Sequence, residues 1–417
     1  MSESIVIVGA GQAGIQIAET LRHEQFAGPI LMVGEEPHAP YNRPPLSKKW
    51  LLERPEISTL AIRGGDWLER HRIQFMPGTR VERIDRAARS ARLADGRELG
   101  WRGLALCTGA RLRPLPVPGT DLAGVYGLKT VDDAQHLAAA LDDCVARQAP
   151  VVVIGGGFIG LEVAASARKR GLTVTVLEGL SRLMSRVVAP IVSEATARVH
   201  RAHGVELRYE VRITALTGAG GRVTGVQLDD GSVLDAGCVV VGIGVVANDE
   251  LAAAAGLACD RGIVVDDCSR TSDPDVVAAG DCAARALGDG SYRRLESVQN
   301  AIEQGKSAAF ALLGRSRPFS AAPWFWSDQY DLKLQMVGLS LGYDRVVTRG
   351  DLDKPAFSAF YYRGDRLIAV DSLSRPSDHL QARRLLDQGV WPTPEQAADS
   401  SFALPSLLKA AAPKPAA

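Results

Sequence analysis

An internal repeat constrains the fold of this 417-residue chain more than any other feature of its sequence. The run IVIVGAGQAG over residues 5–14 returns as VVVIGGGFIG over residues 151–160. Each copy continues into a helical pattern, a breaker and a second apolar strand that is followed by an acid, Glu35 or Glu178. The sequence therefore predicts two βαβ units and an α/β fold with two Rossmann-like domains.

The glycines of the repeat indicate what the two units bind. They are Gly9, Gly11 and Gly14 in the first copy and Gly155, Gly157 and Gly160 in the second. In a Gly-x-Gly-x-x-Gly turn the first glycine makes the tight turn, the second lets a pyrophosphate approach the backbone, and the third packs helix on strand. The helix N-terminus then offers unpaired N–H groups to the phosphates. A single pattern also occurs in turns without a ligand, whereas two copies favour two dinucleotide sites.

The acids bear on the choice of nicotinamide cofactor. Each stands about twenty residues beyond its glycine turn, where a carboxylate accepts hydrogen bonds from ribose hydroxyls. The carboxylate of Glu178 would repel a 2′-phosphate, so NADH is favoured over NADPH. Arg182 and Arg186 stand nearby and would soften that preference, unless they only contact phosphate groups. The alternative is that these arginines lie on a solvated helix face.

A further segment, TSDPDVVAAGD over residues 271–281, indicates a flavin. It places an apolar strand before Gly280 and Asp281. This segment resembles the motif with which two-domain flavoprotein reductases bring a carboxylate to a ribityl hydroxyl of FAD. Without that resemblance it would be an ordinary turn at a strand end. The chain would then hold FAD as a prosthetic group and use NAD as the second dinucleotide.

Three segments narrow the resemblance to one family. They are YNRPPLSK over residues 41–48, ESVQNA over residues 296–301 and PWFWSDQY over residues 323–330. All three are similar to those of NAD-dependent ferredoxin reductases that serve cytochrome P450 and aromatic-ring dioxygenase systems, and the likeness runs over residues 5–387. The resemblance implies a glutathione-reductase-like architecture. It also implies that electrons pass from NADH through FAD, one at a time, to a [2Fe-2S] ferredoxin.

The resemblance also assigns residues to each cofactor. FAD would be held by Gly9, Gly11, Ala13, Gly14, Glu35, Arg43, Lys48, Val81, Lys129, Asp281 and Val298, with Trp326 near the isoalloxazine edge. NAD would meet Gly155, Gly157, Gly160 and Glu178. For Trp324 and Trp326 the alternative is a role as core aromatics.

Two residues are expected to take part in hydride transfer. Lys48 would lie on the N5 side of the flavin, where a cation stabilises negative charge in a site of low effective dielectric. Glu162 resembles the family acid that meets the nicotinamide amide, and the two side chains are candidates for a salt bridge. The alternatives are a surface lysine after a Pro-Pro turn and a solvent-facing helix acid.

The cysteines and histidines indicate neither thiol chemistry nor a metal site. None of the six cysteines forms a Cys-x-x-Cys pair, and residues 41–48 contain no cysteine. Related disulfide reductases need a sulfur nucleophile facing the flavin, so electrons are expected to leave the flavin directly. His200 and His203 would lie at a surface helix end rather than bind a metal.

Charge and hydropathy limit the partners. The 48 basic and 48 acidic side chains cancel, so we expect no attraction to nucleic acid or to an anionic membrane. No apolar run reaches the eighteen residues of a membrane span, and we expect a cytoplasmic protein. Four arginines, Arg315, Arg317, Arg383 and Arg384, are candidates for a docking patch, the alternative being solvated charge.

The domain boundaries follow from the repeat and from breaks in composition. We expect an FAD domain over residues 1–112 and 245–320, an NAD domain over residues 113–244, and a mixed α+β C-terminal domain over residues 321–417. That last domain should contain a hairpin around Gly364 and Asp365, and a tail from Ala410 onward without regular structure. Three other functions remain open on this scaffold: a rubredoxin reductase, a monodehydroascorbate reductase, or a flavoprotein whose redox state controls binding.

Overall fold

The computed structural model describes residues 3–286 and 291–411, which form two compact units. The first unit comprises Met1–Arg43, Pro55–Arg111 and Val245–Ala321. The second comprises Pro44–Arg54, Leu112–Gly244 and Ala322–Ala417. This grouping does not separate an NAD domain from a C-terminal domain, so the division into three domains stays a prediction.

Most strands are short, and several of them follow one another between successive helices. The strands are β1 (Ile5–Val8), β2 (Ile30–Val33), β3 (Ile73–Met76), β4 (Val81–Asp85), β5 (Ser90–Leu93), β6 (Glu98–Gly100), β7 (Gly103–Leu106), β8 (Ala110–Leu112), β9 (Val125–Tyr126), β10 (Val151–Ile154), β11 (Val174–Leu177), β12 (Val205–Arg208), β13 (Ile213–Ala219), β14 (Arg222–Leu228), β15 (Val233–Asp235), β16 (Cys238–Val241), β17 (Val245–Ala247), β18 (Ile263–Val265), β19 (Val276–Ala278), β20 (Ala283–Ala286), β21 (Tyr292–Arg293), β22 (Trp324–Gln329), β23 (Leu332–Gly338), β24 (Arg345–Asp351), β25 (Ala356–Arg363) and β26 (Arg366–Leu373).

The helices connect these strands or cover the sheets. They are α1 (Gln12–His23), α2 (Lys49–Glu53), α3 (Trp67–Arg70), α4 (Val131–Arg147), α5 (Phe158–Lys169), α6 (Pro190–Ala202), α7 (Glu250–Ala254), α8 (Val298–Leu312), α9 (Pro376–Gln388), α10 (Pro394–Ala398) and α11 (Pro405–Ala411), with 3-10 helices over Pro44–Ser47 and Ile57–Leu60.

The first unit is built on a parallel five-stranded sheet in the order β19-β7-β1-β2-β3. All four residues of β1 are buried, as expected for a parallel strand covered on both faces. Because side chains alternate along a strand, Ile5 and Ile7 pack into one core with α1, while Val6 and Val8 pack into a second core with β4 and β5.

The second unit repeats this plan. Its parallel sheet has the order β12-β11-β10-β16-β9. The strand β10 lies between β11 and β16 as β1 lies between β2 and β7. The repeat in the sequence therefore corresponds to two Rossmann-like folds, which confirms the predicted fold class.

The last part of the second unit is an antiparallel sheet in the order β22-β23-β26-β25-β24, against which α9 packs. The strands β25 and β26 form the predicted hairpin, with Arg363 opposite Arg366 across Gly364. The mixed α+β character is therefore confirmed as well.

Two local predictions were wrong: the surface position of His200 and the start of the tail without regular structure. His200 does not lie on the surface but is fully buried on α6. The predicted tail begins inside α11, which includes Ala410 and ends at Ala411, while residues 412–417 lie outside the described residues. Across residues 3–286 and 291–411, no helix combines the length and the apolar character that a membrane span requires.

A buried carboxyl group ties the antiparallel sheet to α6. Asp371 on β26 accepts a hydrogen bond from the hydroxyl of Tyr361 on β25, and that hydroxyl accepts one from the backbone N–H of Ala189 at 2.9 Å. Burial raises the pKa of Asp371 to about 7, although the Tyr361 hydrogen bond opposes the rise. The folded chain therefore binds this proton more tightly than the unfolded chain does.

Replacing Asp371 by Asn should flatten the pH dependence of stability. Because the pKa is raised on folding, the stabilisation is complete below the unfolded pKa and is lost as the pH rises to about 7. A shift of this size corresponds to roughly 4 kcal/mol. The unfolding midpoint of the unaltered chain should fall between pH 4 and 7 more steeply than that of Asp371→Asn. The exposed Asp365→Asn provides the control, and parallel curves for both variants and the parent would contradict the assignment.

Candidate functional site

The turn between β1 and α1 forms an open cradle in the first unit. Gly9 has φ +112°, and a Cβ there would lie 2.1 Å from the carbonyl oxygen of Cys107. A Cβ on Gly14 would lie 2.1 Å from the carbonyl oxygen of Gly9, whereas one on Gly11 would meet no heavy atom within 4 Å. The outer glycines are therefore required by packing, and the middle one leaves space at the N-terminus of α1.

The turn between β10 and α5 has the same construction in the second unit. Gly155 has φ +108°, with a Cβ position 2.4 Å from the carbonyl oxygen of Gly242. The Cβ position of Gly160 is 2.1 Å from the carbonyl oxygen of Gly155, and that of Gly157 is open to 4 Å. Each of the two turns thus has the free surface that a pyrophosphate needs beside helix N–H groups, so these residues fit a dinucleotide.

The acids that follow the two turns differ in how they are held. The carboxylate of Glu178 accepts hydrogen bonds from the backbone N–H groups of Gly156 and Leu180, both at 2.8 Å. Glu35 is exposed and lies 3.9 Å from Arg80. Glu178 is therefore fixed beside the second glycine turn. Nearby, Arg182 donates to backbone carbonyls of the following loop rather than lying on a solvated face.

Several of the predicted flavin residues come together in the first unit. The Cβ of Ala13 would lie 3.2 Å from a Cβ on Gly280, which precedes Asp281 and has φ +86°. Arg43 forms an ion pair with Glu36 and interacts electrostatically with Asp281. The glycine turn and the strand-end carboxylate thus face the same part of this unit.

The other predicted residues are placed as follows. Val81 is buried at the start of β4, and Val298 begins α8 directly after its N-cap residue. In the second unit, Lys129 precedes α4, and its backbone N–H donates to Asp133 at 3.0 Å. Trp326 is half-buried in the middle of β22.

Lys48 and Glu162 form the salt bridge that the sequence suggested, which excludes the surface alternatives for both. Their Nζ and Oε2 atoms lie 2.9 Å apart, with side chains 17% and 1% exposed. Lys48 also donates to the carbonyl oxygen of Pro44 at 3.2 Å. The 3-10 helix over Pro44–Ser47 ends immediately before Lys48 and so determines the position from which this side chain extends.

Two serines that sequence reasoning missed complete the surroundings of Glu162. The hydroxyl of Ser47 donates to Oε2, and that of Ser327 on β22 donates to Oε1 at 2.6 Å. Burial raises the pKa of Glu162, while Lys48, Ser327 and Ser47 act to lower it. Both serines stand inside motifs that marked the family, but a serine in a motif does not reveal which group it will contact.

Three of the four candidate docking arginines are engaged in other contacts. In the first unit, Arg315 pairs with Glu24 at 2.7 Å and Arg317 with Glu303 at 3.4 Å. In the second, the guanidinium of Arg383 lies 4.4 Å from the ring centre of Trp324, and Arg384 is exposed. A docking role for these residues stays a prediction.

The thiols and the possible metal ligands of the described residues are placed as follows. All six thiols are free, and five of them are buried. Burial raises the pKa of Cys107 and of Cys282, so these thiols are poor nucleophiles. Among residues 3–286 and 291–411 no cluster of three or more metal-binding side chains occurs.

Two Rossmann-like folds with open glycine turns and a buried lysine–glutamate pair define a flavin- and nicotinamide-dependent oxidoreductase. Residues 3–305 match the model of the pyridine nucleotide-disulphide oxidoreductase family, and residues 324–408 match that of the reductase C-terminal family. The chain belongs to the pyridine nucleotide-disulphide oxidoreductase family, and it uses FAD and NAD(H).

Individual relatives agree over almost the whole length. Rhodocoxin reductase of Rhodococcus erythropolis is 47% identical over 96% of this chain and 93% of its own length. The ferredoxin reductase of the CYP199A2 system from Rhodopseudomonas palustris has a TM-score of 0.93 at 44% identity, over 99% of this chain and 100% of that one. The reductase in the covalent putidaredoxin reductase–putidaredoxin complex has a TM-score of 0.93 at 40% identity, over 98% and 99% of the two chains.

Alanine substitutions should separate the roles of the glycines. Gly157→Ala has room to fold but fills the second cradle, so the KM for NADH should rise about tenfold or more at an unchanged unfolding temperature. Gly160→Ala meets the carbonyl oxygen of Gly155 and should lower the unfolding temperature. Gly11→Ala is the matched control, since it should weaken FAD retention and leave the KM for NADH unchanged. An unaltered KM in Gly157→Ala would exclude this turn as the NADH site.

Proposed function

We propose that this chain is an NADH-dependent ferredoxin reductase that passes electrons through FAD, one at a time, to a [2Fe-2S] ferredoxin serving a cytochrome P450 or an aromatic-ring dioxygenase. The observation that carries the proposal is the buried pair of Lys48 and Glu162, which lies in the same unit as an open nicotinamide-nucleotide turn. Bound FAD supplies the two-electron chemistry that NADH requires and the one-electron chemistry that an iron–sulfur acceptor requires.

The residues proposed to hold the cofactors are those that the family resemblance indicates. For FAD they are Gly9, Gly11, Ala13, Gly14, Glu35, Arg43, Lys48, Val81, Lys129, Asp281, Val298 and Trp326, and for NAD they are Gly155, Gly157, Gly160 and Glu178. The open middle glycines and the fixed carboxylate of Glu178 support this assignment.

The pair contributes charge and orientation to the reaction. Lys48 keeps a cation in a largely buried position, where its field acts strongly because water screens it little. Glu162 holds the ammonium group by an ion pair, and its own carboxylate is held by two serines. The lysine is thus fixed before the cofactors react, which avoids reorganisation during hydride transfer.

A ferredoxin is favoured over the other acceptors. The R. palustris protein is described as a ferredoxin reductase, and the putidaredoxin reductase was captured with its redox partner. The cancelling charges of this chain offer no general attraction to DNA, which weighs against a nucleic-acid-binding flavoprotein. We propose a cytoplasmic location, because NADH is supplied there and the six free thiols suit a reducing compartment.

Replacing Lys48 by Met should slow reduction of the bound flavin by NADH roughly a hundredfold, because the cation that stabilises the developing charge is lost. Stopped-flow absorbance measures this step without any acceptor. Lys49→Met is the matched control, since Lys49 is exposed and forms a surface ion pair with Glu53 at 3.3 Å. If both variants retain the parent rate with FAD bound, Lys48 has no part in hydride transfer.

A panel of acceptors should identify the electron partner. With NADH saturating, kcat/KM should be at least about tenfold higher for a [2Fe-2S] ferredoxin than for rubredoxin or monodehydroascorbate, because acceptors are discriminated by differences in transition-state binding. Several ferredoxins from P450 and dioxygenase systems should be compared under one buffer. A higher kcat/KM with rubredoxin or with the ascorbate radical would identify that acceptor as the substrate. The absence of turnover with every acceptor would favour a binding function.

A further inference from the structure

A chain of buried polar side chains extends from Glu162 through the interior of the second unit. Ser327 donates to Glu162 at 2.6 Å, the amide nitrogen of Gln329 donates to the hydroxyl of Ser327 at 3.1 Å, and Nε2 of His200 lies 2.8 Å from the amide oxygen of Gln329. None of the four residues is more than 2% exposed. Ser327 and Gln329 share one face of β22, because they are two residues apart.

The number of protons available determines which group donates and which accepts at each hydrogen bond of this series of side chains. An ionised Glu162 can only accept, so the single hydroxyl proton of Ser327 is used on it. The oxygen of Ser327 can then only accept, and the NH2 group of Gln329 must face it. The amide oxygen of Gln329 therefore faces His200, which must carry its proton on Nε2.

The other ring nitrogen of His200 supports the same direction independently. Among the described residues, Nδ1 of His200 has no hydrogen-bond partner although it is buried. Burial lowers the pKa of His200 to about 4, so the ring is neutral near pH 7 and has one proton to place. A proton on Nδ1 would leave a buried N–H without a partner, which costs more than leaving a lone pair unmatched.

We propose that Ser327, Gln329 and His200 are positioning residues that form a one-way hydrogen-bond relay, which holds the carboxylate of Glu162 ionised and oriented towards Lys48. The inference deepens the proposed function, because it rests on the role given there to Lys48 and Glu162. Every donor in the relay points towards the carboxylate, and hydrogen bonds in such a chain strengthen one another. His200, which the sequence placed on the surface, is the buried far end of this relay.

The charged groups around the relay stand at its two ends. Lys48 faces Glu162, where the hydroxyl of Ser47 also donates. At the far end, the ring of Tyr330 meets His200 edge-on and stacks on His203 at 3.7 Å, and Arg168 donates to the backbone oxygen of His203.

Four charged side chains on β22, α2 and α6 are paired away from the relay, those on α6 being Arg201 with Glu194 at 3.3 Å and Arg198 with the carbonyl oxygen of Leu352 at 2.7 Å. On β22, Asp328 points to the opposite face from Ser327 and lies 3.6 Å from Lys333. On α2, Lys49 pairs with Glu53 in solvent. The pH response of Glu162 is therefore set by Lys48 and the two serines, with His200 as the second titrating group of the relay.

The relay can be tested by nuclear magnetic resonance on the FAD-bound full chain, labelled with 13C at the glutamate carboxyl groups and 15N at the histidine rings. The Glu162 signal is assigned by its loss in Glu162→Gln. Near pH 7 the His200 ring should carry its proton on Nε2. As the pH falls, the 15N signals of His200 should change twice. One change accompanies the protonation of Glu162, and the other accompanies the protonation of His200 itself. Ser327→Ala should remove that coupled change and raise the Glu162 titration by roughly one to two pH units.

Two variants serve as matched comparisons. Ser47→Ala removes the other serine that contacts Glu162, so the Glu162 titration should rise while the coupled change at His200 remains. His203→Phe preserves the stacking on Tyr330 and should leave the Glu162 titration and the coupled change at His200 in place. Because the charge of His203 helps to lower the pKa of His200, its loss should move only the own titration of His200 upward. In Ser327→Ala, the rate of flavin reduction by NADH should fall as the pH is lowered. The midpoint of this fall should be displaced by the same number of pH units as the Glu162 titration.

Several results would overturn the relay. A proton on Nδ1 of His200 in the unaltered chain would do so without any variant, which covers the case that Ser327→Ala fails to fold. An unshifted Glu162 titration in Ser327→Ala, or a shifted titration with an unshifted rate profile, would also contradict it. Since the resonance measurements use neither NADH nor ferredoxin, a wrong acceptor assignment would leave their outcome unaffected and is detected separately by the acceptor panel.

Discussion

The site proposed in the second unit depends on how one carboxylate, that of Glu162, is held in the protein interior. Burial alone would drive Glu162 to take up a proton, and Lys48, Ser47 and Ser327 oppose this. These partners come from the segment before α2 and from β22, while Glu162 lies on α5. Removing one partner of a buried ion pair typically costs about 3–5 kcal/mol. The charge pair therefore exists only when three distant parts of the chain have folded together, and the loss of either partner would leave the other charge buried without compensation.

The two glycine turns have the same steric requirement, but the acids that follow them are held in different ways. In both, the third glycine leaves 2.1 Å between a Cβ position and a carbonyl oxygen, so any side chain would force helix and strand apart. Glu178 is already held by two backbone N–H groups, whereas Glu35 is exposed. A substrate that exchanges at every turnover gains from a carboxylate that is ordered beforehand. Under the proposed assignment of Glu35 to FAD, which stays bound between turnovers, the cost of ordering this carboxylate would recur less often.

Local patterns predicted much of this structure, and long-range packing accounts for what they missed. The repeat, the positive φ at Gly9 and Gly155 and the hairpin at Gly364 all depend on a few consecutive residues. The burial of His200 depends on which face of α6 meets β22. Its spacing of eight from Val192 and three from Ala197, both apolar, carried the necessary signal, because residues at these spacings share a helix face. The contact with Gln329 had no sequence signal, since 129 residues separate the two.

The family is described by disulphide chemistry, yet this chain has none to offer at its flavin. Residues 41–48 contain no cysteine; their last two positions are Ser47 and Lys48, which both contact Glu162. Elsewhere, burial raises the pKa of Cys107 and Cys282, so these thiols stay protonated and cannot act as nucleophiles. Without a disulphide facing the flavin, no protein side chain holds the electrons between NADH and the acceptor. Bound FAD would supply the one-electron chemistry that an external iron–sulfur acceptor requires, and none of the residues 41–48 could supply a thiol in its place.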